Sequence, residues 1–286
     1  MELIWRDEAD DDVRALLTAA RDADGTPEVT DDGPLPSEFR GGRHLHARDD
    51  GQLVGYAHVD TTGDAFGNQI VELVTHPGHR RQGIGARVTD EVLTSDNPMR
   101  FWSHRDHPGA ARLAETRRLT RVRELLQMHL GPGEELPEPV YRGGIRVRTF
   151  ETGVDEAAMV AVNKRAFDWH PEQGMLTVAD VEAAEKEAWF DANGFFLAVD
   201  EKNSVVGFHW TKVHPDGVGE VYVVGVDPAA QGGGLGKALT LTGLHHLRRL
   251  GIGDIILYVE SDNSPAVAVY TRLGFTLAYT NVAYQR

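Results

Sequence analysis

Arg80-Arg81-Gln82-Gly83-Ile84-Gly85 and, much further on, Gln231-Gly232-Gly233-Gly234-Leu235-Gly236 repeat one pattern, Arg/Gln-x-x-Gly-x-Gly. Each copy follows an apolar strand that closes on His76-Pro77 or Asp227-Pro228, and each opens a helix. A strand, a glycine turn and a helix N-terminus gather unpaired backbone N–H groups at one point, where the helix dipole also favours an anion. Both stretches therefore read as pyrophosphate cradles, and two of them mean a duplicated domain. Other glycine loops do not fit. A Walker A loop needs Gly-Lys-Ser/Thr, but Gly236-Lys237 runs into Ala238. A dinucleotide fingerprint needs a third glycine where Lys237 or Val88 stands.

The surrounding pattern repeats as well. The first copy reads as strand Leu3-Ile4-Trp5, a helix around Val13-Leu16-Leu17, and a hairpin turned at Asp49-Asp50-Gly51. Strand, cradle, helix, strand, helix and strand then follow, to Leu130. The breaker-rich stretch Gly131 to Pro139 is a linker, and the order restarts at Ile145. The spacing predicts an α/β fold with an α+β mixed sheet: two tandem domains, each a twisted, mostly antiparallel sheet with flanking helices. The first spans 1–131, the linker 132–143 and the second 144–286.

Composition narrows the function classes. The chain has 286 residues, 41% of them hydrophobic, no cysteine and a net charge of −15. Without cysteine there is no disulfide, thiolate nucleophile or cysteine-bound metal. The negative charge argues against nucleic acid, which needs clustered Lys and Arg. No apolar run reaches the roughly 20 residues that span a bilayer, and the N-terminus lacks a secretory pattern. A cytoplasmic monomer acting on a small molecule, with no metal, is the expectation. His44/His46 and His245-His246 read as structural or surface histidines rather than ligands.

The second copy carries groups suited to acyl transfer. Val224-Gly225-Val226 ends the strand that feeds its cradle, and a glycine inside a strand commonly marks a bulge. Strand alternation puts Glu220, Tyr222 and Val224 on one face. If that face lines a cleft, Glu220 is placed to accept a proton. A solvated strand-end acid fits the same spacing, which does not choose between them. In Asn263-Ser264-Pro265-Ala266-Val267-Ala268-Val269-Tyr270-Thr271-Arg272-Leu273-Gly274-Phe275, a helix capped by Asn263 or Ser264 carries Tyr270 along one flank. Aligning the copies puts Gln69 opposite Glu220 and Ala114 opposite Tyr270, so the first copy has a cradle but neither group.

The glycine loops resemble the acetyl-CoA loop of the GCN5-related N-acetyltransferases (GNATs), and the Asn263-to-Phe275 segment resembles the superfamily's second signature. That resemblance implies that Tyr270 protonates the sulfur of CoA. It also implies one acetyl-CoA site per copy. The first would use Leu73, Val74, Thr75 and the loop Arg80 to Gly85. The second would use Val224, Gly225, Val226, Gln231, Gly232, Gly233, Gly234, Leu235, Gly236, Lys237 and the stretch Asn263 to Ala268. The second cradle lacks the basic residues frequent in such loops, and Lys237 or Arg248 would compensate.

The whole chain is similar to the mycothiol synthase family of tandem acetyltransferases. The segments that carry this include His170-Pro171-Glu172-Gln173-Gly174, Gly207 to Asp216, Gly219-Glu220-Val221-Tyr222-Val223 and Tyr258 to Asn263. The resemblance implies acetylation of the cysteinyl amine of Cys-GlcN-Ins. It implies substrate contacts from Glu172, Lys212, Glu220 and Tyr258, and from an acid near Asp31. Lys212 is a donor for sugar or inositol oxygens, the glutamates are acceptors, and Trp210 packs a sugar face or serves as core. A tandem enzyme for another amine, such as an aminoglycoside, and an acetyl-CoA-binding regulator without turnover are the competing readings.

Overall fold

The fold was read from a computed structural model, which describes residues 1–27, 29, 34–64, 66–170 and 173–286. In chain order the elements begin β1 (Glu2–Arg6), α1 (Asp11–Asp24), β2 (Arg43–Asp49), β3 (Gln52–Asp60), β4 (Gln69–Thr75), α2 (Ile84–Val92), β5 (Met99–Ser103), α3 (Pro108–Arg117) and β6 (Thr120–Leu130). They continue β7 (Arg146–Thr149), α4 (Glu156–Ala166), α5 (Val178–Ala184), β8 (Phe195–Val199), β9 (Val205–Val213), β10 (Gly219–Val226), α6 (Leu235–Arg249), β11 (Ile255–Glu260), α7 (Ser264–Arg272) and β12 (Thr276–Gln285).

Two compact units emerge, residues 126–278 and residues 1–125 together with 279–286. The sequence places the C-terminal strand with the second copy; the structure gives its outer part to the first unit. Val282, Ala283, Tyr284 and Gln285 pair antiparallel with β5. The cause is visible in the packing: Val282 and Tyr284 close a cluster with Ala114 of α3, backed by Ala111 and Leu119. Gln285 adds hydrogen bonds to Asn68 and Arg100.

The first unit's sheet runs β1-β2-β3-β4-β5-β12, antiparallel except for the β4/β5 pair. The second unit's runs β7-β8-β9-β10-β11-β6, with β10/β11 again the parallel pair. The predicted hairpin turn is present, with Asp50 and Gly51 both at positive φ. In the second unit α6 buries Leu241, Leu244 and Leu247 against Val221, Ile255 and Leu257. Phe195, Phe208 and Trp210 form a separate core on the other sheet face with Met159 and Val162 of α4. The spacing predicts that α5 reaches Trp189, but the helix stops at Ala184. Trp189 instead turns in to meet the rings of Trp210 and Tyr222.

His209 on β9 faces α6 and is fully buried. Its Nδ1 donates to the Leu239 carbonyl at 2.7 Å, while Nε2 has no partner among the described residues. A Cβ at Gly243 would lie 2.1 Å from the ring, which is why this helical position is glycine. Burial pushes the imidazole down to about 4. The unfolded chain, titrating near about 6.5, therefore takes up the proton first as pH falls. Stability should be full above about pH 6.5 and fall as the pH drops toward 4. His209→Leu should flatten that limb by up to about 3 kcal/mol. Unfolding titrations at pH 7, 6, 5 and 4.5 check the slope, which an uninvolved histidine would leave unchanged.

Candidate active site

The site begins where β10 and β11 part. Their parallel pairing covers only Gly219↔Ile255, Glu220↔Ile256 and Val221↔Leu257. Beyond it, the β10/β9 register slips between Val221 and Val223, which makes Tyr222 the bulged residue. The sequence expects the bulge at Gly225, but Gly225 pairs regularly with Phe208. Its lack of a side chain has another cause: a Cβ there would lie 2.4 Å from the Phe208 ring. The extra residue also reverses the alternation beyond it. Glu220, Tyr222 and Val223 now face one way, and Val224 turns toward α6 beside Leu235 and Leu239.

The bulge changes the alignment of the two copies. In the first unit β4 pairs with β5 through Gln69↔Met99, Ile70↔Arg100 and Val71↔Phe101, while its β3 register is unbroken. The first copy thus has one residue fewer, and Ile70, not Gln69, stands opposite Glu220. Ala114 remains opposite Tyr270: His107 and Asn263 are equivalent N-caps, accepting from Gly109 N and Ala266 N.

Glu220 is 6% exposed, and its Oε2 accepts from His214 Nε2 at 2.7 Å. Lys212, its cross-strand neighbour, is drawn elsewhere. The Lys212 ammonium lies 4.9 Å from the Trp189 ring centroid and 5.4 Å from that of Tyr222, a cation–π arrangement. The carboxylate is thus left to an imidazole that can pass a proton on. Sequence reasoning missed His214. Its signal was the alternation His214, Lys212, Trp210 on a strand antiparallel to Glu220. Burial, and then the charge of Glu220, push the Tyr222 phenol above its usual range. Trp210 is core, stacked on Phe195 at 4.5 Å; the aromatic surface beside Lys212 comes from Trp189 and Tyr222.

On β11, Ile256, Tyr258 and Glu260 alternate onto the face of Glu220. The Tyr258 hydroxyl accepts from Gln127 Nε2 at 2.7 Å. Glu260 Oε1 lies 3.7 Å from His170 Nε2, which brings the loop before α5 to this strand end. Glu172 of that loop, and Asp31, lie outside the described residues.

Tyr270 sits on α7, a helix with no fully buried residue. Its ring meets Phe275 at 5.8 Å and packs with Val224 against the core beneath α6. Burial pushes the phenol up to about 12, so it is a protonated donor at neutral pH.

The two loops share one backbone. Gly232 and Gly234 have φ of 80° and 79°, as Arg81 and Gly83 have 64° and 82°. Gly234 and Gly83 are N-caps without a side chain, so the first-turn N–H groups of α6 and α2 stay open to an anion. Nothing lies within 4 Å of a Cβ built at Gly232, Gly234 or Gly83, which leaves room for a phosphate against the backbone. Val224, Gly225 and Val226 lead into the second loop; Leu235, Gly236, exposed Lys237 and, on α7, Ser264, Pro265, Ala266, Val267 and Ala268 complete the set. In the first unit Leu73, Val74, Thr75, Arg81, Ile84 and Gly85 line a cavity of about 530 Å³, and Gln82 lies exposed in the loop. Arg80 is already spent there, paired with Asp24 through two hydrogen bonds, and the Arg80 bond holds the Asp24 carboxyl below its ordinary value. Arg248 does not serve the second cradle. It binds the carbonyls of Ile252, Gly253 and Gly131 beyond the C-terminal end of α6.

Family models agree with this duplication. The acetyltransferase (GNAT) family matches residues 162–275 and an acetyltransferase (GNAT) domain matches 40–115. A mycothiol acetyltransferase from Saccharomonospora viridis is 57% identical over 298 residues, covering 98% of this chain and 97% of its own. One from Amycolatopsis mediterranei is 55% identical, with 99% and 98% covered. A tandem GNAT protein from the clavulanic acid biosynthesis pathway shares the fold with a TM-score of 0.70 at 18% identity, covering 100% of this chain and 98% of its own. No helix among the described residues is long and apolar enough to cross a membrane. This chain is an N-acetyltransferase that uses acetyl-CoA, and it belongs to the mycothiol acetyltransferase family of two-domain GNAT proteins.

Proposed function

We propose that this chain, in the cytoplasm and as a monomer, transfers acetyl from acetyl-CoA to the cysteinyl amine of Cys-GlcN-Ins, giving mycothiol and CoA, and that the second unit does the chemistry. The observation that carries this is Glu220, a buried carboxylate bonded to His214 at the point where β10 and β11 separate. The amine nitrogen attacks the thioester carbonyl carbon, the C–N bond forms and the C–S bond breaks. Glu220 takes the ammonium proton and His214 relays it. Tyr270, protonated at neutral pH, gives its proton to the departing sulfur. The second N–H proton that the nitrogen sheds as the amide forms makes good that loss, so one proton in all leaves through Glu220. Lys212 and Tyr258 hold hydroxyls of the pseudodisaccharide, with Glu172 and Asp31 as further contacts. The first unit binds acetyl-CoA without turnover, since Ile70 and Ala114 stand where the base and acid would be.

CoA release on mixing the protein with acetyl-CoA and Cys-GlcN-Ins, with the product identified by mass spectrometry, tests the reading. Release with an aminoglycoside but not with Cys-GlcN-Ins would replace the acceptor. Glu220→Gln should reduce kcat/KM at neutral pH by about 10²- to 10⁴-fold and change the pH–rate profile. An unchanged profile would take Glu220 out of the base role.

A further inference from the structure

One guanidinium in the second unit is placed where the sequence of the cradle provides none. Arg142 comes from the stretch before β7, and its Nη2 donates to the Gly232 carbonyl at 3.3 Å. A Cβ built at Gly233 would lie 2.3 Å from both Nε and Cζ of Arg142. The side chain thus occupies the space that a residue at 233 would fill. The matching residues of the first loop, Arg81 and Gln82, carry side chains of their own.

Arg142 is held in place from both sides. The Tyr141 hydroxyl donates to the Ala238 carbonyl at 3.1 Å and bonds Thr242 on the flank of α6. On the other side a tight turn returns Ile145 N to the Arg142 carbonyl at 3.2 Å. Tyr141 and Ile145 both pack against Leu235 and Leu239. Arg142 itself is exposed and, among the described residues, has no ion pair. An arginine anchored at both neighbours, without a carboxylate, over open helix N–H groups is arranged for an anion.

We propose that Arg142 is the basic arm of the second cradle, binding the pyrophosphate of acetyl-CoA, and that position 233 is glycine to admit it. This rests on acetyl-CoA occupying the second cradle, and it adds a residue that the loop itself does not contain. The arm enters from outside the loop, so Gly233 and Arg142 work as a pair.

Arg142→Ala should raise KM for acetyl-CoA by about 10- to 100-fold, the range of a charge-assisted contact, with kcat changed less than about threefold. Acetyl-pantetheine, which lacks the pyrophosphate, should show the same KM with both proteins. Gly233→Gln in the otherwise native chain should raise the acetyl-CoA KM similarly by displacing the guanidinium. Arg142→Ala combined with Gly233→Arg should recover most of the affinity. Calorimetric titration with CoA alone needs no acceptor, so it reads the proposal even if Cys-GlcN-Ins proves to be the wrong substrate. There, one CoA site should weaken about 10-fold or more in Arg142→Ala. Unchanged CoA affinity would overturn the proposal. So would equal losses with acetyl-CoA and acetyl-pantetheine, which would mark Arg142 as merely structural.

Discussion

Tyr270→Phe is expected to lower turnover by about 10- to 10⁴-fold while acetyl-CoA binding survives. The exchange removes one oxygen from a ring that packs against Phe275 and the core beneath α6, so the helix loses no contact that holds it. What is lost is a proton. Burial holds the phenol at about 12, so it is fully protonated at neutral pH and carries a proton to share with the sulfur as the C–S bond breaks. Single-turnover rates, compared with steady-state turnover, keep product release from masking the chemical step. Near-native single-turnover rates would remove Tyr270 from the acid role.

The two cradles should answer differently to the same injury. Gly234 and Gly83 share a left-handed backbone with open space above it, so a leucine at either position both strains the turn and closes the phosphate site. Gly234→Leu should abolish acetyl transfer, by at least about 10³-fold, because Glu220 and Tyr270 belong to that unit. Gly83→Leu should cost less than about threefold in rate and remove at most one CoA site from a titration. Circular dichroism and thermal midpoints establish that both variants are folded. Loss of turnover with Gly83→Leu, and its survival with Gly234→Leu, would reverse the roles of the two units.

Much of this architecture was legible in the chain. The paired glycine loops, the order of elements around them and the Asn263-to-Phe275 segment depend on local backbone rules, and local rules show in sequence. What escaped depends on distant partners. Gly225 reads as a bulge because strand glycines often are, but the Phe208 ring decides it. The true bulge falls on Tyr222, a residue with no special backbone preference, and only the slipped pairing with β9 reveals it. That single insertion displaced Gln69 by Ile70 in the comparison of the copies. Arg142 and His214 were hidden for the same reason: each acts on a residue reached through tertiary structure, and no spacing announces it.

The pairing of residues 282–285 with β5 also constrains how the protein is made. A ribosome delivers β5 early, but the strand segment that completes its sheet follows only after the second unit, residues 126–278. The usual order, with the N-terminal domain folding first during synthesis, is therefore closed to this chain. Until residues 282–285 are made, the β5 edge and the apolar side chains of Ala111, Ala114 and Leu119 wait uncovered, and closing them requires a very long loop. Expression of residues 1–131 alone would leave that edge permanently open, whereas supplying residues 276–286 as a separate peptide would restore it.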